Sequence, residues 1–152
     1  QKRCRVVSNN LDIAQRLSAS PSLEVIIPGG SVKRLVKRDV FIAHGDLVMS
    51  IVRMFHYDIA FMSVQAFDEE GTVMQEDLSE VALTQGVIEQ TDKVIALSSR
   101  IRQDAKANIR VCKAIAFDGF ICNEALPGWL ADAMKQANVA VQVASASMYA
   151  WL

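Results

Sequence analysis

The 152-residue chain is long enough to bury a core of its own, and with 51% apolar and 22% charged residues it has the composition of a globular protein rather than a disordered one. A net charge of −1 gives no general attraction to nucleic acid or to an anionic membrane, and no apolar run approaches the ~18 residues of a membrane helix. Three cysteines without CxxC spacing indicate a reducing, cytoplasmic compartment.

The first half of the chain alternates short apolar runs with segments of helical periodicity. In the helix predicted over residues 11–20, Leu11, Ala14 and Leu17 share one face. Residues 32–39 hold a cluster of basic residues with no aromatic residue interleaved, which favours a solvated loop over a nucleic-acid patch. The predicted elements are strand 4–8, helix 11–20, strand 23–27, loop 32–39, helix 46–55 and strand 58–64.

The second half continues the alternation. Asp77 and Glu80 have the spacing of a capping box, which predicts a helix start, and Pro127 marks the first turn of another helix. The predicted elements are helix 77–90, strands 93–97, 113–117 and 120–122, helix 127–137 and strand 139–144. Strands that alternate with helices indicate an α/β fold with a mostly parallel sheet flanked by helices on both faces.

Small polar residues follow the predicted strands. Ligands bind outside the carboxyl ends of parallel strands, so these residues predict a binding site at one edge of the sheet. Asn and Ser side chains donate hydrogen bonds, paired glycines let backbone N–H groups approach a ligand, and an arginine suits phosphate or carboxylate. A phosphorylated polyol fits this set of donors. The strand ends are Ser8-Asn9-Asn10, Pro28-Gly29-Gly30, residues 63–66, Ser98-Ser99-Arg100 and Cys122-Asn123.

Each strand end also has a purely structural interpretation. Ser8-Asn9-Asn10 is typical of a helix N-cap, Pro28-Gly29-Gly30 of a turn, and Ser98-Ser99-Arg100 of a cap followed by a solvated basic residue. His44 and His56 have no carboxylate or cysteine at ligand spacing, so neither a metal nor a cofactor is predicted. No Ser, Cys or His stands in a recognisable nucleophile motif.

Four segments taken together resemble the effector-binding sensor domain of DeoR-family transcriptional regulators: VVSNNLDIAQRL, LEVIIPGG, DIAFMSVQAFDEEGTV and KVIALSSR. The resemblance runs from Val6 to Ala144. It implies a fold related to ribose-5-phosphate isomerase and a phosphorylated sugar as effector. It also implies an N-terminal helix-turn-helix that binds DNA. We expect residues 1–152 to form the effector-binding and oligomerisation domain without that helix-turn-helix and without the domain's first strand.

The resemblance also assigns ligand-binding roles to individual residues. Gln65 stands where the family commonly has an asparagine or aspartate, and Glu80 aligns with an acidic residue at the start of a helix. Asn9, the glycine pair and the two serines match the family directly. Together with the strand-end argument, this predicts ten ligand-binding residues: Ser8, Asn9, Asn10, Gly29, Gly30, Gln65, Glu80, Ser98, Ser99 and Arg100.

Four residues depart from the family pattern. Leu97 and Asn123 each replace an aspartate, Arg100 replaces a lysine, and Thr84 stands where a lysine is usual. These changes remove two carboxylates and one cation, and they replace a compact ammonium group with a planar guanidinium group. We therefore expect an effector different from that of typical members, or a loss of sensing.

Three functions follow from these observations. The first is the sensor of a DNA-binding repressor, and the second is a sugar-phosphate isomerase of the same fold, for which Glu80 is the candidate base. The third is a scaffold with a degenerate pocket. Apolar helix residues, Trp129 and the C-terminal segment 148–152 predict a homo-oligomer, and the family resemblance points to a dimer or tetramer.

Overall fold

The computed structural model describes residues 4–35, 39–102 and 106–144, and its contacts divide the chain into two compact units, residues 1–55 and 56–152. The C-terminal segment 148–152 lies outside the described residues. In the first unit, β1 (Cys4–Val7) and β2 (Leu23–Ile26) pair in parallel, and α1 (Leu11–Ser18) connects them.

The first unit continues with a hairpin of β3 (Ser31–Leu35) and β4 (Val40–His44), which is followed by α2 (Asp46–Val52). The prediction of a loop over 32–39 is therefore wrong for residues 32–35, while residues 36–38 lie outside the described part. The basic residues fit a strand because the hairpin lies at the surface: Arg34 is exposed and pairs with the carboxylate of Asp39.

The second unit holds a four-stranded parallel sheet of β5 (Ala60–Ser63), β8 (Val94–Ser98), β10 (Gly119–Cys122) and β11 (Ala140–Val143). The strand order β11-β10-β8-β5 confirms an α/β fold with a mostly parallel sheet flanked by helices. Among the described helices, none is long and apolar enough to cross a membrane. The elements of this unit are β5 (Ala60–Ser63), β6 (Ala66–Phe67), β7 (Thr72–Gln75), α3 (Leu78–Glu89), β8 (Val94–Ser98), β9 (Ile109–Lys113), β10 (Gly119–Cys122), α4 (Gly128–Gln136) and β11 (Ala140–Val143).

A second, antiparallel sheet of β6, β7 and β9 was not predicted. The strand predicted over 113–117 is also wrong beyond its first residue, because β9 ends at Lys113 and Ala114–Ala116 form one turn of 3-10 helix. The backbone N–H of Phe117 closes this turn by donating to the carbonyl of Ala114 at 2.9 Å. A short apolar run does not by itself distinguish a strand from a helical turn.

The core of the second unit lies against one face of the parallel sheet. Met62, Ala96 and Phe120 are neighbours across three strands of that face, and all are buried. The rings of Phe120 and Phe67 are 6.0 Å apart and tilted by 59°, so the core continues onto the antiparallel sheet. Trp129 is half-buried and packs against the same cluster, so part of its surface is covered by the core rather than left for a partner.

The three cysteines are free thiols. Cys122 is buried in the core and Cys112 is half-buried against it. Burial raises the pKa of Cys112 to about 11 and is the main cause of a raised pKa at Cys122. Both side chains are therefore neutral at physiological pH and pack as small hydrophobic groups.

Candidate functional site

The strands β5, β8 and β10 are parallel neighbours, so their carboxyl ends lie together at one edge of the sheet, which we call the carboxyl edge. Ser63 at the end of β5 stands opposite Leu97, and Cys122 at the end of β10 stands opposite Ser98. The chain therefore places four of the predicted residues at the carboxyl edge: Gln65, Ser98, Ser99 and Arg100.

Ser98 is the last residue of β8, and its hydroxyl group has no hydrogen-bond partner in the part of the chain that the structure describes. Only 4% of the residue is exposed, and its Oγ is buried without a donor or acceptor among the described residues. Leaving a buried hydroxyl unpaired costs about 1–3 kcal/mol, so natural proteins rarely keep one without a reason. A ligand atom that bonded to this hydroxyl would remove that cost.

The loop after Ser98 is attached to the end of the neighbouring strand β10. The backbone carbonyl of Ser98 accepts a hydrogen bond from the N–H of Asn123 at 3.3 Å. The N–H of Ile101 donates to the Glu124 carboxylate at 3.5 Å. Ser99 and Arg100 lie between these two attachments and are exposed. The loop therefore begins at the carboxyl edge, and the side chains of Ser99 and Arg100 are exposed to solvent there.

Arg102 was missed by the sequence analysis, although it completes the same loop. Its backbone forms a parallel bridge with Ala66, just beyond the end of β5. Its guanidinium Nη2 donates to the side-chain oxygen of Gln65 at 3.1 Å. The available signal was the spacing Arg-Ile-Arg at 100–102, which places two cations near one strand end.

Glu80 lies in the first turn of α3, and Asp77 is the N-cap, as the sequence predicts. The Asp77 carboxylate accepts hydrogen bonds from the Ser79 N–H at 2.8 Å and from the Ser79 hydroxyl at 2.6 Å. The other end of α3 lies at the start of β5, where the Tyr57 N–H donates to the carbonyl of Gln90 at 2.8 Å. A helix that connects parallel strands runs back against them, so its first turn is directed toward the carboxyl edge.

A comparison with protein families identifies the family to which the chain belongs. A family model described as the DeoR C terminal sensor domain matches residues 1–124, which is most of the chain. The chain belongs to the DeoR family of sensor domains.

Several curated transcriptional repressors and regulators are similar to this DeoR sensor domain. The glycerol-3-phosphate regulon repressor of Haemophilus influenzae is 24% identical over 110 residues, which cover 72% of this chain and 41% of that protein. The HTH-type transcriptional regulator GolR of Listeria innocua is 24% identical over 142 residues, which cover 93% of this chain and 54% of that protein. The putative aga operon transcriptional repressor of Escherichia coli O157:H7 is 21% identical over 135 residues, covering 89% and 49%. The chain spans about half the length of these relatives.

The departures from the DeoR pattern lie in different environments. Leu97 precedes Ser98 on β8, so its half-buried side chain faces the opposite side of the sheet from the Ser98 hydroxyl. Thr84 is half-buried on α3, and Asn123 is exposed directly after β10. Arg100 is exposed and has no hydrogen bond or ion pair with the residues that the structure describes.

The predicted residues of the first unit follow the carboxyl ends of β1 and β2, where the Ser8 N–H donates to the carbonyl of Ile26 at 3.0 Å. The Asn10 side chain caps α1 by accepting from the N–H groups of Asp12 and Ile13 at 3.0 and 3.1 Å. The Asn9 amide donates to the carbonyl of Ala43 at 3.2 Å, and the Ser8 hydroxyl bonds to the backbone of Asn10. All three side chains thus have structural partners within this unit.

Gly29 and Gly30 follow β2, and Gly30 has a structural reason to be glycine. Its φ of +148° lies in a region that other residues rarely adopt, and an added Cβ would lie 2.5 Å from the backbone oxygen of His44. Gly29 is less restricted, since a Cβ there would meet the Leu47 side chain at 3.3 Å. The predicted strand ends belong to two separate parallel sheets, one in each unit. The sequence predicts a single sheet instead.

Proposed function

We propose that this chain is the effector-sensing part of a cytoplasmic DeoR-family repressor. It binds a phosphorylated sugar or a related anionic metabolite at the carboxyl edge. Binding changes the conformation of the loops at this edge and thereby biases DNA binding by a helix-turn-helix elsewhere in the full protein. The relatives are named as transcriptional repressors or regulators, which favours this function over sugar-phosphate isomerisation with Glu80 as the base.

The buried, unpaired hydroxyl of Ser98 is the observation that carries this proposal. It lies at the end of a central parallel strand, which is where ligands bind in sheets of this kind. The following loop presents Ser99 and Arg102 to solvent, and these residues supply a hydroxyl donor and positive charge for an anion. After the loop beyond β8 moves on binding, a phosphate oxygen would reach and satisfy this hydroxyl, which is buried in the present conformation and has no partner among the described residues.

The name of one relative suggests the first compounds to test. Glycerol-3-phosphate regulon repressors of Haemophilus influenzae and Escherichia coli are 24% and 25% identical to this chain over their matched regions. Because Leu97, Arg100 and Asn123 differ from the family pattern, the test set also needs larger sugar phosphates. We propose glycerol 3-phosphate, ribose 5-phosphate, fructose 6-phosphate and the matching unphosphorylated sugars as that set.

Ser98→Ala separates a ligand-binding hydroxyl from a structural one. Without ligand, the substitution removes an unpaired buried polar group, so we expect the free energy of unfolding to rise by about 1–3 kcal/mol. With ligand, it removes a hydrogen bond, so we expect the affinity to fall about tenfold. Urea denaturation measures the first effect and calorimetric titration the second.

Ser63→Ala is the matched control, because Ser63 also ends a strand of this sheet but is exposed. This variant should change the free energy of unfolding by less than about 0.5 kcal/mol and leave the affinity unchanged. The proposal is contradicted if Ser98→Ala lowers stability and binds the effector as well as the unmodified chain. Binding of none of the phosphorylated compounds by the unmodified chain would also contradict it.

We further propose that the chain assembles as a dimer or tetramer. Leu78 and Ile115, two large apolar side chains of the second unit, are 69% and 74% exposed. Apolar surface of this kind commonly marks a protein interface. Sedimentation equilibrium at tens of micromolar should give a mass of at least twice that of the chain, and a monomer would refute the proposal.

A further inference from the structure

Two arginines follow Ser98, and they are held very differently. Arg102 is fixed at both ends of its backbone: its N–H donates to the carbonyl of Gln65 at 2.7 Å, and its carbonyl accepts from the N–H of Phe67 at 3.1 Å. Its side chain donates to the Gln65 side-chain oxygen at 3.1 Å. Arg100 makes no such hydrogen bond within the described part of the chain.

This anchoring places the Arg102 guanidinium at the carboxyl edge. The N–H of Val64 donates to the carbonyl of Leu97 at 2.9 Å, so Gln65 lies directly beyond the end of β5 and next to the end of β8. Arg102 is held on Gln65, and Ser98 ends β8. The fixed cation and the unpaired hydroxyl therefore belong to neighbouring strand ends of one sheet.

The remaining donors of Arg102 suit an anion. A guanidinium has five N–H donors in a fixed plane, and the bond to Gln65 uses one of them. In residues 4–35, 39–102 and 106–144, no carboxylate oxygen lies within ion-pair distance of this side chain, which is exposed. A cation that is already oriented loses less side-chain entropy when a ligand binds than a free one does.

We propose that Arg102, oriented by Gln65, supplies the positive charge that binds the phosphate group of the effector. Arg100, the residue at the position of the family's lysine, does not supply it. Gln65 is then a positioning residue rather than a direct ligand contact. This inference rests on the proposed function, because it assigns residues to the same anion site.

The test compares matched arginine variants of the 152-residue chain. Calorimetric titration with glycerol 3-phosphate, ribose 5-phosphate, fructose 6-phosphate and inorganic phosphate is carried out on Arg102→Gln and Arg100→Gln. We expect Arg102→Gln to weaken binding of the phosphorylated compounds on the order of tenfold to a hundredfold, because a charge-assisted bond is lost. We expect Arg100→Gln to stay within about twofold of the unmodified chain.

Variants of Gln65 test its positioning role. Gln65→Leu removes the bond to the guanidinium and should weaken binding about threefold to tenfold. Gln65→Glu restores an acceptor but adds a negative charge that competes with the phosphate, so binding should fall at least as far as in Gln65→Leu. If Gln65 only held the loop in place, the carboxylate of Gln65→Glu would accept the same hydrogen bond, and this variant would bind as tightly as the unmodified chain. Thermal unfolding confirms that each variant is folded.

The possible failures can be told apart. If Arg102→Gln binds as tightly as the unmodified chain, or if Arg100→Gln loses tenfold while Arg102→Gln does not, the assignment of Arg102 is wrong and the proposed function stands. Binding of no phosphorylated compound by the unmodified chain overturns both.

Discussion

Phe120→Ala is expected to lower the free energy of unfolding of the second unit by about 3–5 kcal/mol. Phe120 has no exposed surface, pairs with strands on both sides and packs on Phe67 at 6.0 Å between ring centroids. Truncation removes the whole ring from the centre of the core and leaves a cavity that the two flanking strands cannot close. Urea denaturation followed by circular dichroism measures the change.

Phe61→Ala is the matched control for this experiment. The same side chain is deleted from the same parallel sheet, but Phe61 is 63% exposed on β5. The free energy of unfolding of this variant should fall by less than about 1 kcal/mol, because the substitution removes little buried apolar area. Equal losses in the two variants would show that Phe120 is not at the centre of the core.

Gly30→Ala is expected to lower the free energy of unfolding of the first unit. A strained backbone alone costs about 1–3 kcal/mol, and we expect the loss to be larger than that. The φ of +148° supplies the strain, and the added Cβ would overlap the backbone oxygen of His44 at 2.5 Å. A backbone atom held in the β3–β4 hairpin cannot move aside without breaking that pairing. Thermal unfolding of the variant measures the loss.

Substitutions at two further glycines separate the cost of backbone strain from the cost of steric overlap. Gly45 has a φ of +105° and open space around its Cβ position, so Gly45→Ala should show strain without overlap. Gly29 meets only the flexible Leu47 side chain, so Gly29→Ala should have the smallest effect of the three. If Gly30→Ala were no worse than Gly29→Ala, the glycine pair would be free for another role, such as close approach to a ligand.

The parallel strands and the helix starts could be predicted from sequence because their signals are local. Apolar runs such as that of β8 mark strands buried on a parallel sheet, and the caps Asn10 and Asp77 begin α1 and α3 where the polar residues indicate. These features depend on residues a few positions apart, which is the range that periodicity and capping patterns cover.

The antiparallel elements were not predictable in the same way. β6 has two residues, too few for a periodic pattern, and β7 pairs with β9 across more than thirty residues of intervening chain. The β3–β4 hairpin lies at the surface, so Lys33 and Arg34 resemble a loop although they are paired with Ile42 and Phe41. Only tertiary pairing distinguishes such segments from loops.

The candidate site was predictable as a set of strand ends but not as a set of contacts. The sequence indicates Ser98 and Gln65 through their positions after apolar strands. It does not indicate that the Ser98 hydroxyl lacks a partner, or that Gln65 holds Arg102 rather than Arg100. Those facts depend on how the loop after β8 turns back toward β5, and this is decided by hydrogen bonds between residues distant in sequence.

The order of strands in the parallel sheet has a consequence for how the protein folds. β5, β8, β10 and β11 lie side by side in the same order in which the chain presents them. Each strand therefore pairs with the parallel strand that precedes it, and no later strand has to insert between two that are already paired. Such sequential pairing keeps the loop that each parallel pair has to close shorter than an inserted strand would require, which lowers the entropy cost of forming the sheet. During synthesis the β5–β8 pair can form before β11 has left the ribosome, so the sheet grows outward with the chain.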